Sequence, residues 1–329
     1  MRQSVIFMFS GQGSHYYQMG RGLFEQNLVF QKWMLEGDRI LSEMTGVSII
    51  DQVYNNLYKK FDRFSRTLYT HPAIFLVEYA LAQAVIDSGI EPDQVLGTSV
   101  GGFAAAALAG VMSFEMALTA VVKQAEAIEA LCPQGGMMAI LDSADRYFET
   151  FRLNENENLE LAAINFPSHF VVSGKPGSLS DAQIYLKEKK ITSQLLDVSY
   201  GFHSSLIDPA AATYKEFLNT LVLGKPQIPF ISCSHTYALA CVPQNYFWEV
   251  VRAPVQFQKT IDALEEHAPY FYLDLGPAGT LATFVKYNLK DTSSRSKSLF
   301  VLNPFKDEVN ITEKLKDLIP SGTGTGSYS

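Results

Sequence analysis

The sequence predicts an α/β fold that is interrupted by a small second domain, and three observations lead to this fold class. A short apolar run with a β-branched start, Val5–Phe9, leads directly into a glycine-rich turn, as buried parallel strands do. From His71 to Ile90, apolar residues recur at helical spacing, Pro72 suits the first turn and Gly89 lies at the end. Between residues 137 and 201, four short strand-like runs and two helical stretches follow the ferredoxin-like order.

The first part of the chain alternates between strand and helix patterns, which favours α/β over all-α or all-β architectures. The predicted elements are a strand at Val5–Phe9, helices at Phe30–Met44 and His71–Ile90, a very short strand at Gln94–Leu96, and helices at Phe103–Leu108 and Phe114–Leu131. Pro133 and the pair Gly135-Gly136 then end this part of the pattern.

The predicted strands and helices become shorter and follow a different order after Gly136. The predicted elements are strands at Met137–Leu141, Leu159–Ala163, Phe170–Ser173 and Ser193–Val198, with helical stretches at Asp145–Arg152 and Leu179–Lys190. The acidic, Asn-rich segment Glu155–Glu160 is predicted to be a solvated loop. We therefore expect a small domain at residues 137–201, inserted into a large domain that comprises residues 1–136 and 202–320.

The α/β pattern returns in the last third of the chain. The predicted elements are a helix at Asp208–Thr220, a strand at Ile228–Ser232, helices at Tyr246–Val251 and Phe257–Glu266, and a strand at Phe271–Leu275. Residues 321–329 are rich in Gly, Ser and Thr, which is typical of a flexible tail.

The composition limits the classes of function. The 329 residues carry a formal net charge of −8, which argues against broad contact with a nucleic-acid backbone. Cys132, Cys233 and Cys241 form no CxxC pair and no metal-type spacing with histidine, so we predict no metal site. No secretory signal is visible, and the longest weakly polar run, Phe103–Met112, falls short of the roughly 18 residues of a membrane span. We expect a cytoplasmic protein without membrane contact.

A nucleophile-elbow pattern is the strongest chemical signal in the sequence. Gly97-Thr98-Ser99-Val100-Gly101 is a G-x-S-x-G motif between a predicted strand and a predicted helix. The flanking glycines allow a tight turn that exposes the Ser99 hydroxyl, and the start of the helix supplies backbone N–H groups for a developing oxyanion. The motif predicts covalent catalysis by Ser99.

A serine nucleophile requires a base, and histidine is the usual one. The six histidines are His15, His71, His169, His203, His235 and His267. His203 is favoured because it lies at a strand-to-loop break, whereas His15, which follows the first glycine turn, is the rival. His71 precedes a predicted helix and suits a cap or a pocket position.

The first glycine turn, Gly11-Gln12-Gly13-Ser14, resembles a phosphate-binding loop only superficially. It lacks the Lys-Ser/Thr of a P-loop and the G-x-G-x-x-G of a dinucleotide fold. The sequence therefore argues against nucleotide binding.

Together, these motifs resemble the malonyl-CoA:acyl-carrier-protein transacylase family, which includes the acyltransferases of polyketide synthases. Five motifs carry the resemblance in order and spacing, over about residues 4–305: Phe9-Ser10-Gly11-Gln12-Gly13-Ser14, Gly97-x-Ser99-x-Gly101, Phe202-His203-Ser204, Ala253-Pro254-Val255 and Asp274-Leu275-Gly276-Pro277. The resemblance implies an α/β-hydrolase-like large domain with an inserted ferredoxin-like small domain, in agreement with the pattern of elements.

The resemblance also implies roles for individual residues. Ser99 resembles the nucleophile and His203 the base, and the backbone N–H groups of Gln12 and Val100 would form the oxyanion hole. The family has no triad carboxylate. A main-chain carbonyl upstream of the x-Pro-Val motif orients the histidine instead, and by register it lies near Val250. A backbone acceptor fixes the imidazole tautomer without adding negative charge.

The implied acyl pocket departs from the family pattern. Its expected residues are Gln124, Phe202, Tyr200, Asn165 and His71. Gln124 stands where the family places an arginine that clamps the malonyl carboxylate. The neighbouring Lys123 should point elsewhere, because one helical step turns a side chain by about 100°. Thr98 and Gly102 also replace a histidine and a glutamate of the family motif.

The exchange of arginine for glutamine predicts the substrate. The guanidinium of arginine binds a carboxylate through two parallel, charge-assisted hydrogen bonds, whereas the amide of glutamine provides no countercharge. We therefore expect acyl groups that lack a carboxylate, unless another arginine such as Arg252 reaches the pocket. The pattern resembles the discrete acyl hydrolases of trans-acyltransferase polyketide synthases, which cleave stalled acyl groups from acyl carrier proteins.

Three other functions remain open at this point. A transferase for acetyl or other neutral acyl groups shares every residue named above, a malonyl transferase is disfavoured by Gln124, and a non-catalytic carrier-binding module is disfavoured by Ser99 and His203. The expected partner is an acyl carrier protein. No metal or redox cofactor is expected, because the substrate carries its own phosphopantetheine arm.

Overall fold

The computed structural model describes residues 3–151, 159–290, 292–305 and 315 of the 329-residue chain. The elements of the first part are β1 (Ser4–Phe9), α1 (Arg21–Gln26), α2 (Leu28–Thr45), α3 (Ile49–Val53), α4 (Thr67–Asp87), β2 (Gln94–Gly97), α5 (Gly101–Leu108) and α6 (Phe114–Leu131). The middle part contains β3 (Gly136–Ile140), a π-helical turn (Tyr147–Phe151), β4 (Leu159–Phe166), β5 (His169–Gly174), α7 (Pro176–Glu188) and β6 (Ser193–Leu195).

The last part of the described chain returns to longer helices. Its elements are a 3₁₀ helix (Ser205–Ala210), α8 (Ala211–Leu218), β7 (Phe230–Ser232), β8 (Tyr237–Leu239), α9 (Tyr246–Arg252), α10 (Phe257–Glu265), β9 (Tyr270–Asp274), α11 (Thr280–Asn288) and β10 (Lys297–Phe300).

The strands form two sheets, which confirms the predicted α/β class. The first sheet has the order β10-β9-β1-β2-β7-β8 and is parallel except for β8, which pairs antiparallel with β7. The second has the order β4-β5-β3-β6 and is antiparallel. In the first sheet Phe9 lies opposite Gly97, so the turns that follow β1 and β2 meet at one edge.

The second sheet uses its two faces differently. Met138 and Val172 face a core of their own beneath α7, whereas the preceding residues, Met137 and Val171, join the main core. This alternation is the two-residue period of a strand. The second sheet therefore turns one face towards the first sheet, and the division at residues 137 and 201 remains a prediction.

Helix α4 forms the centre of the main core and is buried along most of its length. A helix that is apolar on all sides is typical of such a position. The helix begins at Thr67 and not at His71, so the prediction that Pro72 lies in the first turn is wrong. Thr67 and Thr70 make the true first turn polar, which hides it from a search for apolar spacing.

Several other predicted elements differ from the structure. The predicted helix at residues 145–152 is only a π-helical turn over Tyr147–Phe151 within the described residues, and Glu160 lies in β4 and not in a loop. The predicted helix from Asp208 is 3₁₀ through Ala210 and α-helical afterwards. The elements α1, α3, β8, α11 and β10 were not predicted. The predicted tail at residues 321–329 lies outside the described residues.

Candidate active site

A glycine-lined elbow carries Ser99 between β2 and α5. Ser99 has a φ of 52°, a left-handed conformation that is rare for residues other than glycine. A Cβ at Gly97 would lie 2.5 Å from the Gly102 Cα, and a Cβ at Gly101 would lie 2.3 Å from the carbonyl oxygen of Phe9. Only glycine fits these two positions, which explains why the motif needs both of them.

His203 faces the serine. Its Nε2 lies 3.0 Å from Ser99 Oγ, which is hydrogen-bonding distance for a nucleophile and its base. His203 also has a left-handed φ, of 58°, and its backbone N–H donates to the carbonyl of Val251 at 2.9 Å. The two side chains are almost completely buried. The structure thus brings together the predicted nucleophile and the predicted base.

The carbonyl that orients His203 belongs to Ala253, so the assignment to Val250 is wrong. His203 Nδ1–H donates to the Ala253 oxygen at 2.7 Å, which leaves Nε2 unprotonated towards Ser99. Val250 lies inside α9, which ends at Arg252. Ala253 is extended, with φ −77° and ψ 150°, as residues before proline are, and its carbonyl therefore turns away from the helix.

Burial keeps His203 in the form that can accept a proton. It lowers the pKa of His203 from 6.5 to about 4, more strongly than the bond to the Ala253 carbonyl raises it, and nearby Arg252 lowers it further. The imidazole is therefore neutral at physiological pH, as a general base must be.

The predicted oxyanion hole lies at the edge where the two turns meet. A Cβ at Gly11 would lie 2.7 Å from the Ser99 Cβ, so the turn that contains Gln12 is packed directly against the nucleophile. The backbone N–H groups of Gln12 and Val100 find no acceptor within the part of the chain that the structure describes. They remain the predicted donors to an oxyanion.

Glu78 anchors this turn, although it was not among the predicted site residues. Glu78 is fully buried in α4, and its Oε1 accepts hydrogen bonds from the Ser10 backbone N–H at 2.6 Å and the Ser10 hydroxyl at 2.7 Å. Burial raises the pKa of Glu78 well above its ordinary value, more strongly than the two hydrogen bonds from Ser10 lower it. A single glutamate in an otherwise apolar stretch of helix was the available signal.

His15, the rival base, has a structural role in the same turn. Its Nε2 lies 2.6 Å from the Phe64 carbonyl, and its Nδ1 accepts from the Gly13 N–H at 3.3 Å. Both ring nitrogens are therefore engaged by backbone groups, and neither faces the Ser99 hydroxyl.

A cavity of about 270 Å³ opens in front of Ser99 and His203. The first glycine turn, the elbow, the inner face of the second sheet and α11 contribute to its wall, which includes Gln12, Asn165 and Phe202. Within the described part of the chain, the lining residues contain no Lys, Arg, Asp or Glu. The site is therefore a mainly apolar chamber with a few uncharged polar groups, as small-molecule sites commonly are.

Three of the predicted pocket residues lie outside this cavity. His71 is buried behind Phe202, with the two ring centroids 5.0 Å apart, and Gln124 is buried beside His71. Tyr200 is half-buried against Phe202. The polar neighbours of the Gln124 amide in this layer are the His71 imidazole and the Tyr214 hydroxyl. Burial lowers the pKa of His71 to about 3, so this second layer is uncharged.

The nearby cations do not reach the cavity. Arg252 pairs with Asp208, with Nε–Oδ1 and Nη2–Oδ2 distances of 2.5 and 3.2 Å. Lys123 is exposed and pairs with Glu126 at 2.8 Å. The alternative in which Arg252 replaces the missing clamp is therefore wrong, and the expected orientation of Lys123 is confirmed.

The comparisons with known proteins agree with this geometry. The family described as acyl transferase domain matches residues 6–317 of the chain. The chain belongs to this family. It is 44% identical over 309 residues to the polyketide biosynthesis acyltransferase homolog PksD of Bacillus subtilis, covering 94% of each chain. It is 41% identical to the homolog BaeD of Bacillus velezensis, covering 98% of this chain and 99% of the relative.

Solved structures of acyl transferase domains share the fold. The acyltransferase domain of the second module of the salinomycin polyketide synthase superposes with a TM-score of 0.83 at 28% identity, over 97% of this chain and 72% of the other. An MCAT from Streptococcus pneumoniae gives a TM-score of 0.76 at 25% identity, over 95% and 100%. The resemblance seen in the motifs is thus confirmed, and the chain is an acyl transferase domain.

Among the described helices, none combines the length and the apolar composition that a membrane span requires.

Proposed function

We propose that this acyl transferase domain is an acyl hydrolase, which cleaves acyl groups without a carboxylate from acyl carrier protein thioesters in trans-acyltransferase polyketide biosynthesis. The observation that carries the proposal is the uncharged lining of the cavity around Ser99 and His203. The names of PksD and BaeD support the polyketide setting.

The charge argument concerns the free acyl end. A malonyl group would bring a carboxylate into a cavity whose described lining residues include no cation, with a neutral imidazole, that of His71, behind Phe202. An isolated buried carboxylate is strongly disfavoured unless a charged partner compensates it. A neutral acyl chain meets no such penalty, and apolar residues such as Val171 and Phe284 favour it.

The proposed mechanism has two acyl-transfer steps. His203 Nε2 takes the proton of Ser99 as Oγ attacks the thioester carbonyl, and the N–H groups of Gln12 and Val100 stabilise the oxyanion. The C–S bond then breaks, and the imidazolium returns the proton to the departing thiolate of the carrier. In the second step His203 deprotonates a water molecule that attacks the Ser99 ester, and Ser99 leaves with the proton as the acid is released.

The chemistry of these steps comes from the chain and from the substrate. No metal or redox cofactor is required, because the carrier protein brings the phosphopantetheine thioester itself. Within the described residues no group of three or more His, Cys, Asp or Glu side chains is placed to hold a metal ion. An acyl carrier protein is accordingly the proposed partner.

Transfer of a neutral acyl group to a second carrier is the alternative, and membership of the acyl transferase domain family favours it. It shares the first step and differs only in the acceptor that attacks the acyl-enzyme. The deciding experiment supplies acetyl-loaded carrier with and without an excess of free carrier of a distinguishable mass. A hydrolase releases acetate at the same rate in both reactions. Acyl groups that accumulate on the second carrier at the expense of acetate would establish a transferase.

A further inference from the structure

His169 is a second imidazole in the wall of the cavity, and the proposed mechanism does not use it. It begins β5, directly after the turn that follows β4, and its ring packs against Phe166 and Phe284 at centroid distances of 5.0 and 5.2 Å. Its Nδ1 lies 3.0 Å from the Nδ2 of Asn165. Both side chains line the cavity that contains Ser99.

This contact determines which nitrogen of His169 carries the proton. The Asn165 amide N–H donates to Nδ1, so the hydrogen of the neutral ring is on Nε2. Burial lowers the pKa of His169 to about 4, which keeps the ring neutral at physiological pH. Asn165 is the side chain whose hydrogen bond to the His169 ring the structure records. His169 is therefore a hydrogen-bond donor and cannot serve as a base through Nδ1, which is already engaged.

Helix α11 holds the pair in place. Asn288 Nδ2 donates to the backbone carbonyl of Asn165 at 2.8 Å and to the carbonyl of Phe284 at 3.0 Å. The backbone of Asn165 is thus tied to α11, and the His169 ring packs against Phe284 of the same helix. Such preorganisation lowers the entropy that a side chain loses when it binds a ligand.

We propose that His169 determines substrate specificity by donating a hydrogen bond from Nε2 to an uncharged oxygen of the bound thioester. The inference rests on the proposed thioester substrate and adds the chemistry that the cavity recognises. A neutral donor in an uncharged cavity suits a carbonyl or hydroxyl oxygen, whereas it gives no countercharge to an anion. The thioester carbonyl oxygen itself belongs to the proposed oxyanion hole, so the recognised oxygen is one of two others: an amide oxygen of the pantetheine arm, or the 3-oxo or 3-hydroxy oxygen of a polyketide acyl group.

The test combines two variants with substrates that differ in one oxygen. His169→Phe keeps an aromatic ring against Phe166 and Phe284 but removes the donor, and His169→Gln restores an N–H donor. His267→Phe, at an exposed position after α10, is the matched control. The substrates are butyryl thioesters of N-acetylcysteamine, which has an amide, and of propanethiol, which has none, together with the 3-hydroxybutyryl thioester of propanethiol. Acylation of Ser99 is followed by thiol release and intact-protein mass.

We expect His169→Phe to raise KM roughly two- to tenfold, with little change in kcat, only for substrates that contain the recognised oxygen, since this is the effect of losing one neutral hydrogen bond. An effect confined to the N-acetylcysteamine ester identifies the pantetheine amide, and one confined to the 3-hydroxybutyryl ester identifies the acyl oxygen. His169→Gln should recover most of the loss, and His267→Phe should resemble the wild type.

An equal effect of His169→Phe on all three substrates, or no effect on any, would overturn the inference. If the Phe variant does not fold, His169→Leu gives the same comparison. Acylation is measured whether water or a carrier later accepts the acyl group. A transferase would therefore refute the proposed hydrolysis without affecting this test, while a lost oxygen dependence would refute the role of His169 alone.

Discussion

Ser99 and His203 both hold left-handed backbone conformations, with φ values of 52° and 58°, and face one another across 3.0 Å. Strained backbones at non-glycine positions persist only where the surrounding structure enforces them. Here Gly97 and Gly101 pack the serine elbow against β1, and the Val251 carbonyl holds the His203 backbone. The geometry of the pair is therefore built into the fold before a substrate arrives.

Replacing the nucleophile tests the covalent step. Ser99→Ala should lower thioester cleavage by at least about three orders of magnitude, as loss of a catalytic serine does in other hydrolases, while carrier binding persists. Cleavage is measured by thiol release, and the wild type should show an acyl adduct on Ser99 by intact-protein mass. Substantial turnover by the variant, combined with no adduct on the wild type, would exclude Ser99 as nucleophile.

Replacing the base should be almost as damaging, because nucleophile and base act as a unit. His203→Ala is compared with His15→Ala, whose ring nitrogens contact backbone groups only, and with His71→Ala behind Phe202. Acylation rates of the three variants are measured after their folding is confirmed by thermal melting. The assignment of His203 is wrong if either control loses more activity than His203→Ala.

The pH profile should reflect the buried imidazole. Because the pKa of His203 is lowered to about 4, kcat/KM should stay level as the pH falls from 8 to about 5 and decline only as the pH approaches 4.

The stability of the fold should also depend on pH, because the buried rings of His71 and His169 have pKa values of about 3 and about 4, below the ordinary 6.5. Their contribution to the free energy of unfolding is present above pH 6.5 and is lost as the pH falls from 6.5 through these values. Circular dichroism at each pH separates this unfolding from titration of the base. A midpoint near 6.5 in folded protein would contradict the prediction.

Restoring the arginine of the family tests the neutral-acyl argument. Gln124→Arg should raise the ratio of malonyl to acetyl acyl-enzyme a few-fold, because a guanidinium that extends past Phe202 would supply the missing countercharge. The neighbouring Lys123→Arg is the matched control, since that side chain is exposed and keeps its charge. The ratio is read by intact-protein mass. An unchanged ratio in folded Gln124→Arg would show that this position does not influence the acyl pocket.

The buried glutamate should matter through its shape and its acceptor oxygen. Glu78→Leu removes the acceptor for both Ser10 bonds and should lower kcat by about ten- to a hundred-fold, somewhat less than the loss of an oxyanion donor itself. Glu78→Gln keeps an acceptor oxygen at the same place and should retain most activity at neutral pH. Steady-state kinetics with one thioester compare the two. Equal losses in both variants would mean that the charge of Glu78, and not its hydrogen bonds, supports the site.

The sequence predicted that Ser99 and His203 lie together and missed parts of their surroundings, for physical reasons. The elbow was predictable because Gly97 and Gly101 mark a steric requirement that is visible in the sequence itself. The carbonyl acceptor was placed three residues too early, because backbone oxygens carry no residue signature and the end of α9 was not predicted to the residue. Helix α11 was missed although it lines the cavity, since its apolar pattern is short.

The layer behind Phe202 shows a second limit of prediction. The predicted helical register correctly gave Gln124 a buried position, but it could not show that Phe202 lines the cavity while Gln124 and His71 do not. Ring placement depends on three-dimensional packing, which spacing along one helix does not specify. The role of His169 was likewise hidden, because it depends on the amide of Asn165, four residues away across a turn.

The alternating faces of the second sheet have a consequence for how substrate range can change. Met137 and Val171 contribute to the cavity wall, while Met138 and Val172 are packed on the opposite face beneath α7. Protein interiors are dense enough to transmit a change of even one methylene group to their neighbours. Substitutions among the residues packed beneath α7 can therefore shift the cavity wall. Relatives with identical cavity residues can then differ in substrate preference through side chains that do not contact the substrate.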